Sequence, residues 1–99
     1  MNKVLLVGNL TRNAYVATEE NFKVANFTLA VNKGNEEVNF IPCKAFNKTA
    51  ELIDKFTKKG DKLAVVGEFS VRPYEYKGEK KTEYSVIVNK VEFLTPKKD

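Results

Sequence analysis

Two phenylalanines and a lysine fall on one side of the alternating segment formed by residues 38–46. Because alternate side chains of a β-strand point to opposite faces, Phe40, Lys44 and Phe46 share one face of a strand in this segment. The other face holds small apolar residues, namely Ile41, Cys43 and Ala45. If that small apolar face packs into an interior, the rings and the lysine face outward.

Outward rings beside a cation have a specific use. Unpaired bases of a single-stranded nucleic acid stack on exposed rings at about 1 to 3 kcal/mol per base, and a lysine between the rings can bind phosphate. The alternative is that one or both rings are buried under a loop or at a subunit contact. The pattern therefore predicts a stacking surface at Phe40 and Phe46, with Lys44 between them.

A second cluster of aromatic and basic residues occupies residues 72–81. Arg72, Tyr74 and Tyr76 share one parity, so a strand that continues through Tyr76 projects all three to one side. The alternative is a solvated charged loop, because glutamates are interspersed with the basic residues. Four cations in or near the two clusters are candidates for phosphate binding: Lys44, Lys48, Arg72 and Lys77.

The composition excludes most enzyme classes. The chain has no histidine and one cysteine, so it lacks an imidazole general base and cannot assemble a zinc site of the usual kind. No paired carboxylates suggest acid–base chemistry, and no glycine-rich phosphate loop is present. We therefore expect no catalytic residues, no metal and no cofactor. A net charge of +4 and a pI of about 9.2 are typical of a nucleic-acid binder, although this signal is weak alone.

The elements that must hold these residues are mostly strands. With 99 residues the chain has the length of one domain, predicted to span residues 1–99 with a loose end at 95–99. Periodicity predicts strands over 4–10, 24–32, 38–46, 63–71 and 84–94, a helix over 47–60 capped by Asn47 or Thr49, and loops over 11–22 and 74–81. That order predicts an all-β OB-fold, a five-stranded Greek-key barrel with one short helix between its third and fourth strands. An SH3-like barrel is the alternative fold.

The first predicted strand carries large apolar side chains on both faces: Val4, Leu5, Leu6 and Val7. A small barrel offers this strand only one interior face, so the other face needs a partner. A self-complementary patch closes through a two-fold axis. We therefore expect these four residues to form an interface between copies of the chain.

Several motifs, in order, resemble the bacterial and phage single-stranded DNA-binding proteins. They are NKVLLVGNL at residues 2–10, VANFTLA at 24–30, FNKTAEL at 46–52, KKG at 58–60 and VGE at 66–68. The resemblance runs from residue 2 to about residue 94. It implies an OB-fold, sequence-tolerant binding and protection of single-stranded DNA in replication, recombination and repair, no catalysis, and a homotetramer built from dimers, with a dimer as the fallback.

The resemblance also assigns roles to residues. The family's stacking aromatics match Phe40, Phe46 and Tyr74, and its basic position before the last of these matches Arg72. A further aromatic found in some members would fall near Asn35 and is missing, which implies weaker or different wrapping of the strand. The chain ends at Lys97, Lys98 and Asp99 without an acidic tip, so we expect no tail-mediated recruitment of partners.

Location follows from the same observations. The apolar run near the amino terminus is shorter than a secretory signal needs, and no stretch approaches membrane-spanning length. We expect no membrane partner and a cytoplasmic protein, either in the bacterial nucleoid or as a phage or plasmid protein in its host. Two rival functions stay open: an OB-fold protein-interaction module of the primosome accessory type, and an RNA-binding cold-shock-like barrel.

Overall fold

A computed structural model describes residues 1–95; except for Thr95, the predicted loose end therefore lies outside the described residues. The elements are β1 (Val4–Leu10), β2 (Tyr15–Thr18), β3 (Lys23–Gly34), β4 (Glu37–Phe46), α1 (Asn47–Phe56), β5 (Lys62–Tyr76) and β6 (Glu79–Phe93). The extent of the domain, 1–99, stays a prediction.

The five long strands close into a barrel in the order β1-β5-β6-β4-β3, and β1 returns to pair with β3. β1 runs antiparallel to β5 from Val4 to Asn9, and its last two residues pair with Ala30 and Leu29 of β3. β4 and β6 run parallel, with Lys44 opposite Ile87. The prediction of an OB-fold barrel with a single short helix is confirmed.

The inward faces of the strands supply the core, and α1 packs against it. The largest fully buried side chains are Leu29, Ile53, Leu63 and Val65. Ile53 and Ala50 are three residues apart and therefore lie on one face of α1, which is the face that is buried. The apolar side chains of each strand thus point into the barrel, and the side chains at the alternate positions lie on its outer face.

Both predicted loops contain strand. The connection at 11–22 includes β2, which pairs with β3 from Tyr15 opposite Asn26 to Thr18 opposite Lys23. With β2 counted, the helix lies between β4 and β5, which are the third and fourth strands of the five-stranded barrel, as predicted. The periodic signal of four residues was too short to distinguish β2 from a polar loop.

The predicted loop at 74–81 is the end of a β-hairpin. β5 continues to Tyr76, β6 begins at Glu79, and only Lys77 and Gly78 form the turn. Both turn residues have positive φ, 51° and 80°, as a type I′ turn requires. The hairpin therefore holds the side chains of this segment in a fixed alternation.

The end and the cap of the helix also differ from the prediction. α1 ends at Phe56, because Thr57 has an extended backbone; its N–H still donates the last helical hydrogen bond, to the carbonyl oxygen of Ile53, and the chain then turns at 58–61. No side chain caps the first turn. The Asn47 amide oxygen instead accepts a hydrogen bond from the backbone N–H of Lys23 at 3.3 Å, so this residue ties the helix start to β3.

Candidate nucleic-acid interface

The outward residues of β4 form the first part of the candidate site. Phe40 is 66% exposed and Phe46 is 38% exposed, whereas Cys43 and Ala45 are buried. The predicted orientation of this strand is confirmed. Six residues of extended chain separate the two rings, which corresponds to roughly 20 Å along the strand.

A second ring stands beside Phe46. The centroid of Phe22 lies 6.1 Å from that of Phe46, and the ring planes are inclined by 58°. Phe22 ends a tight turn in which the Glu19 backbone N–H donates to the carbonyl oxygen of Phe22 at 2.7 Å. Phe22 is not among the residues that the sequence pattern predicts; the only signal is a large apolar residue at the end of a polar stretch.

The β5–β6 hairpin carries the second part of the site. Arg72, Tyr74 and Tyr76 lie on one face, as the parity predicts, opposite Glu83, Lys81 and Glu79 of β6. The Arg72 guanidinium carbon lies 5.6 Å from the Tyr74 ring centroid, and the Lys77 ammonium lies 5.4 Å from that of Tyr76. The Lys81 ammonium lies 6.0 Å from the Tyr76 ring, so this residue of the predicted cluster adds a cation to the four phosphate-binding candidates.

One carboxylate joins the two parts. The Glu83 Oε1 atom accepts from Lys44 Nζ at 2.9 Å and lies 3.6 Å from Arg72 Nε. The parallel pairing of β4 with β6 brings Lys44 to this position, and the antiparallel pairing of β5 with β6 places Arg72 directly opposite Glu83. Two predicted phosphate-binding cations therefore share one acidic partner.

The ionisation of Glu83 reflects these neighbours. Its pKa is lower than the ordinary value of 4.5, chiefly because Lys44 donates a hydrogen bond to the carboxylate. Partial burial acts in the opposite direction, and the charges of Lys44 and Arg72 add to the lowering. Glu83 is thus an anion at neutral pH, held between two cations.

A concave region lies beside this ion-pair cluster. Register places Tyr15 of β2 opposite Asn26, and Asn26 opposite Lys44, so the three share the outer face of the barrel. Tyr15, Asn26, Lys44 and Glu83 are among the residues that line a cavity of about 290 Å³. Tyr15 is 71% exposed, and it is a further aromatic that the prediction of a loop at 11–22 overlooks.

Lys48 lies apart from the other cations. It is exposed in the first turn of α1 and lines a shallow depression of about 500 Å³ together with Glu19, Glu20 and Glu51. Its surroundings are therefore acidic. The structure brings Lys44 and Arg72 together but does not bring Lys48 to them.

The four apolar residues of β1 divide between two faces. Val4 and Leu6 pack against the core, whereas Leu5 is 73% exposed and Val7 is 49% exposed. An apolar pair remains on the outer face of a regular strand. That a second copy of the chain covers this apolar pair stays a prediction.

The described part of the chain shows neither a cluster of metal ligands nor a membrane-spanning helix. Residues 1–95 contain no group of three or more histidine, cysteine, aspartate or glutamate side chains placed to hold a metal ion. None of the helices within 1–95 has the length and apolar character needed to cross a bilayer. Cys43 is buried, and desolvation raises the pKa of its thiol to about 12, so the thiol is a core group rather than a nucleophile.

Comparison with known proteins identifies a matching family and several relatives of this chain. Residues 1–94 match the single-strand binding protein family. A single-stranded DNA-binding protein from Staphylococcus epidermidis is 32% identical over 98% of this chain and 79% of its own length. Single-stranded DNA-binding protein 1 from Clostridium acetobutylicum is 37% identical over 100% of this chain and 98% of its own length. A protein of the same name from Staphylococcus aureus is 38% identical over 98% of this chain and 67% of its own length.

Proposed function

Because the chain belongs to the single-strand binding protein family, we propose that it binds and protects single-stranded DNA during replication, recombination and repair. It acts as a binding protein and not as an enzyme. The observation that carries the proposal is the outer face of β4 and the β5–β6 hairpin, where exposed rings alternate with cations.

The chemistry of this face suits a strand of any base sequence. Every base has a π-face, so stacking on a ring does not depend on which base is present. Phe40, Phe46, Tyr74 and Tyr76 are the stacking residues of the proposal. Phe40 is favoured most because two thirds of its side chain is already exposed, so a base covers apolar surface that the fold leaves in water.

Phosphates are bound by the cations beside the rings. Lys44 and Arg72 lie at the centre of the face and Lys77 at the hairpin turn. Lys48 stays a candidate of the proposal, although it lies apart from these three on α1. Asn35 has a φ of 49° and lies in the exposed turn between β3 and β4. Its side chain has no ring on which a base could stack. The proposal therefore includes no stacking contribution from that turn.

The proposal includes assembly and location. The exposed Leu5 and Val7 support pairing of two copies through β1, and we propose a homotetramer made from such dimers, with the dimer as the smaller alternative. We also propose that the protein acts in the bacterial cytoplasm, where its ligand is found, either as a host or as a phage or plasmid protein.

A salt-titrated comparison of labelled oligo-dT, oligo-rU and duplex DNA tests the function. We expect oligo-dT to bind most tightly, with log K falling against log salt at a slope of about −0.7 per phosphate neutralised. Replacing Lys44, Arg72 or Lys77 by Ala should make the slope shallower. Stronger binding of oligo-rU would favour the RNA-binding alternative, and a flat salt response would contradict the proposal.

A further inference from the structure

Glu83 occupies an unusual place for an acidic residue. It lies on β6, between β4 and β5 in the sheet, at the centre of the surface proposed to bind a polyanion. Its side chain is only 31% exposed and that of its partner Lys44 only 23% exposed, so the pair is screened less than an ordinary surface ion pair. Such a pair persists in solution.

A single oxygen atom serves both cations. Glu83 Oε1 lies 2.9 Å from Lys44 Nζ and 3.6 Å from Arg72 Nε. Carboxylate and phosphate oxygens are the same kind of acceptor for ammonium and guanidinium groups. The carboxylate therefore stands where a phosphate oxygen would be received by the same two donors.

Glu83 could instead serve as a brace that holds the two cations in place. The surroundings argue against that role for Arg72, which also packs over the Tyr74 ring at 5.6 Å and is positioned by strand pairing on β5. Lys44 is likewise fixed at its backbone by the pairing of β4 with both β3 and β6. Removing the carboxylate leaves both side chains beside the path and increases their joint charge from +1 net to +2.

We propose that Glu83 is an internal counter-anion that occupies the Lys44–Arg72 phosphate position in the free protein and is displaced when single-stranded DNA binds. This inference rests on the proposed function and adds a residue that weakens the binding of DNA. Displacement leaves the Glu83 carboxylate beside the DNA without its cationic partners, where its charge offsets one of the cations, so the face neutralises one phosphate fewer, net, than the number of its cations would give. Glu83 therefore lowers affinity at low salt and makes binding less sensitive to salt.

The test compares the parent protein with Glu83→Gln in oligo-dT titrations at several salt concentrations. We expect Glu83→Gln to bind roughly five-fold more tightly at low salt and to show a slope steeper by about 0.7, which corresponds to one more neutralised phosphate. Weaker or unchanged binding with an unchanged slope would overturn the inference.

Glu92→Gln is the matched control. It makes the same change of charge on the same strand, roughly 30 Å from Glu83 along β6 and thus about three screening lengths away at 0.1 M salt. Within residues 1–95 no ion pair involves Glu92. An equal gain in Glu92→Gln would show a general effect of net charge and would also overturn the inference.

Two further measurements identify the partners. In a Lys44→Met, Arg72→Met background, Glu83→Gln should no longer change affinity; a persisting gain would contradict the proposed pairing. In the unmodified protein the Glu83 carboxyl ¹³C resonance should move when oligo-dT is added, and an unmoved resonance would count against displacement. If the parent fails to bind oligo-dT, the proposed function itself fails, whereas a binding parent with an indifferent Glu83→Gln refutes this inference alone.

Discussion

Phe40 buries little of its apolar surface in the folded chain, since two thirds of its side chain is exposed. We expect Phe40→Ala to weaken oligo-dT binding by about 1 to 3 kcal/mol while the thermal transition stays nearly unmoved. Phe46→Ala and Tyr74→Ala should weaken binding similarly. Fluorescence titration and thermal unfolding of the same variants measure the two quantities.

Phe27→Ala is the control for this prediction, because Phe27 is buried on the neighbouring strand. It should cost about 3 to 5 kcal/mol of stability. If Phe40→Ala destabilises the protein by a comparable amount, the ring serves packing rather than stacking.

The pKa of Glu83 also sets a pH dependence of stability. Because the folded pKa is lower than the ordinary 4.5, the ion pairs with Lys44 and Arg72 stabilise the fold above that value, and the contribution is lost as pH falls through the folded pKa. Glu83→Gln should therefore be less stable than the parent at pH 7, by about 1 kcal/mol or less, since the pair is only partly buried. The difference should vanish in acid when melting temperatures are compared from pH 7 to pH 2; a difference independent of pH would contradict it.

Residues differ in how far their surroundings could be predicted. The outward orientation of Phe40, Lys44 and Phe46 follows from alternation within one strand, which the sequence displays directly. The contact of Lys44 with Glu83 depends on the parallel pairing of two strands that lie far apart in the chain. No local period carries that information.

At the scale of elements, the β5–β6 hairpin shows why a high density of charged residues does not reliably predict a loop. Glutamates and lysines around Lys77 and Gly78 predict a solvated loop, yet the alternating tyrosines continue the strand directly up to the two-residue turn. In an exposed hairpin both faces are wet, so polar residues no longer mark the end of a strand. The short β2 escapes prediction for a different reason, namely its length of four residues.

Gly67 makes the base of this hairpin possible. A Cβ atom at this position would stand 2.2 Å from the backbone carbonyl oxygen of Ile87, beside the irregularity at Val66 and Gly67. Gly67→Ala should therefore force the two strands apart and cost about 2 to 3 kcal/mol. Chemical denaturation measures the loss.

The neighbouring Glu68→Ala provides the comparison for Gly67→Ala. Glu68 is exposed on the same strand, and its removal should change stability by no more than about 0.5 kcal/mol. Equal effects of the two changes would show that the close approach at Gly67 does not limit the pairing.

At the scale of the whole molecule, the outer face of β1 predicts assembly. Leu5 and Val7 present apolar surface on a regular strand, and burying it contributes about 25 cal/mol per Å² removed from water. Light scattering at micromolar concentration should give the mass of four chains of 11.2 kDa. The double change Leu5→Glu, Val7→Glu should reduce that mass to two chains or one.

Val38→Glu is the control for assembly, because Val38 is also exposed but lies on β4. It should leave the mass unchanged. A parent that is already a monomer would refute the proposed assembly, and the exposed pair on β1 would then be ordinary surface.

The order of elements was enough to predict the barrel as a whole. Strands interrupted by one helix after the third long strand are typical of an OB-fold, and the closed sheet confirms it. Pairings between distant strands could not be derived from local patterns, because they follow from how the whole sheet closes.

Closure through β1 has a consequence for biosynthesis. β1 is translated before the other strands, yet its main partner β5 lies at 62–76, and β6, ending at Phe93, must fit between β5 and β4. At about 5 to 20 residues per second, a ribosome needs roughly 5 to 20 s to make that much chain. Until β5 has been made, Leu5, Leu6 and Val7 lack their pairing partners, and the barrel can close only once β6 has followed.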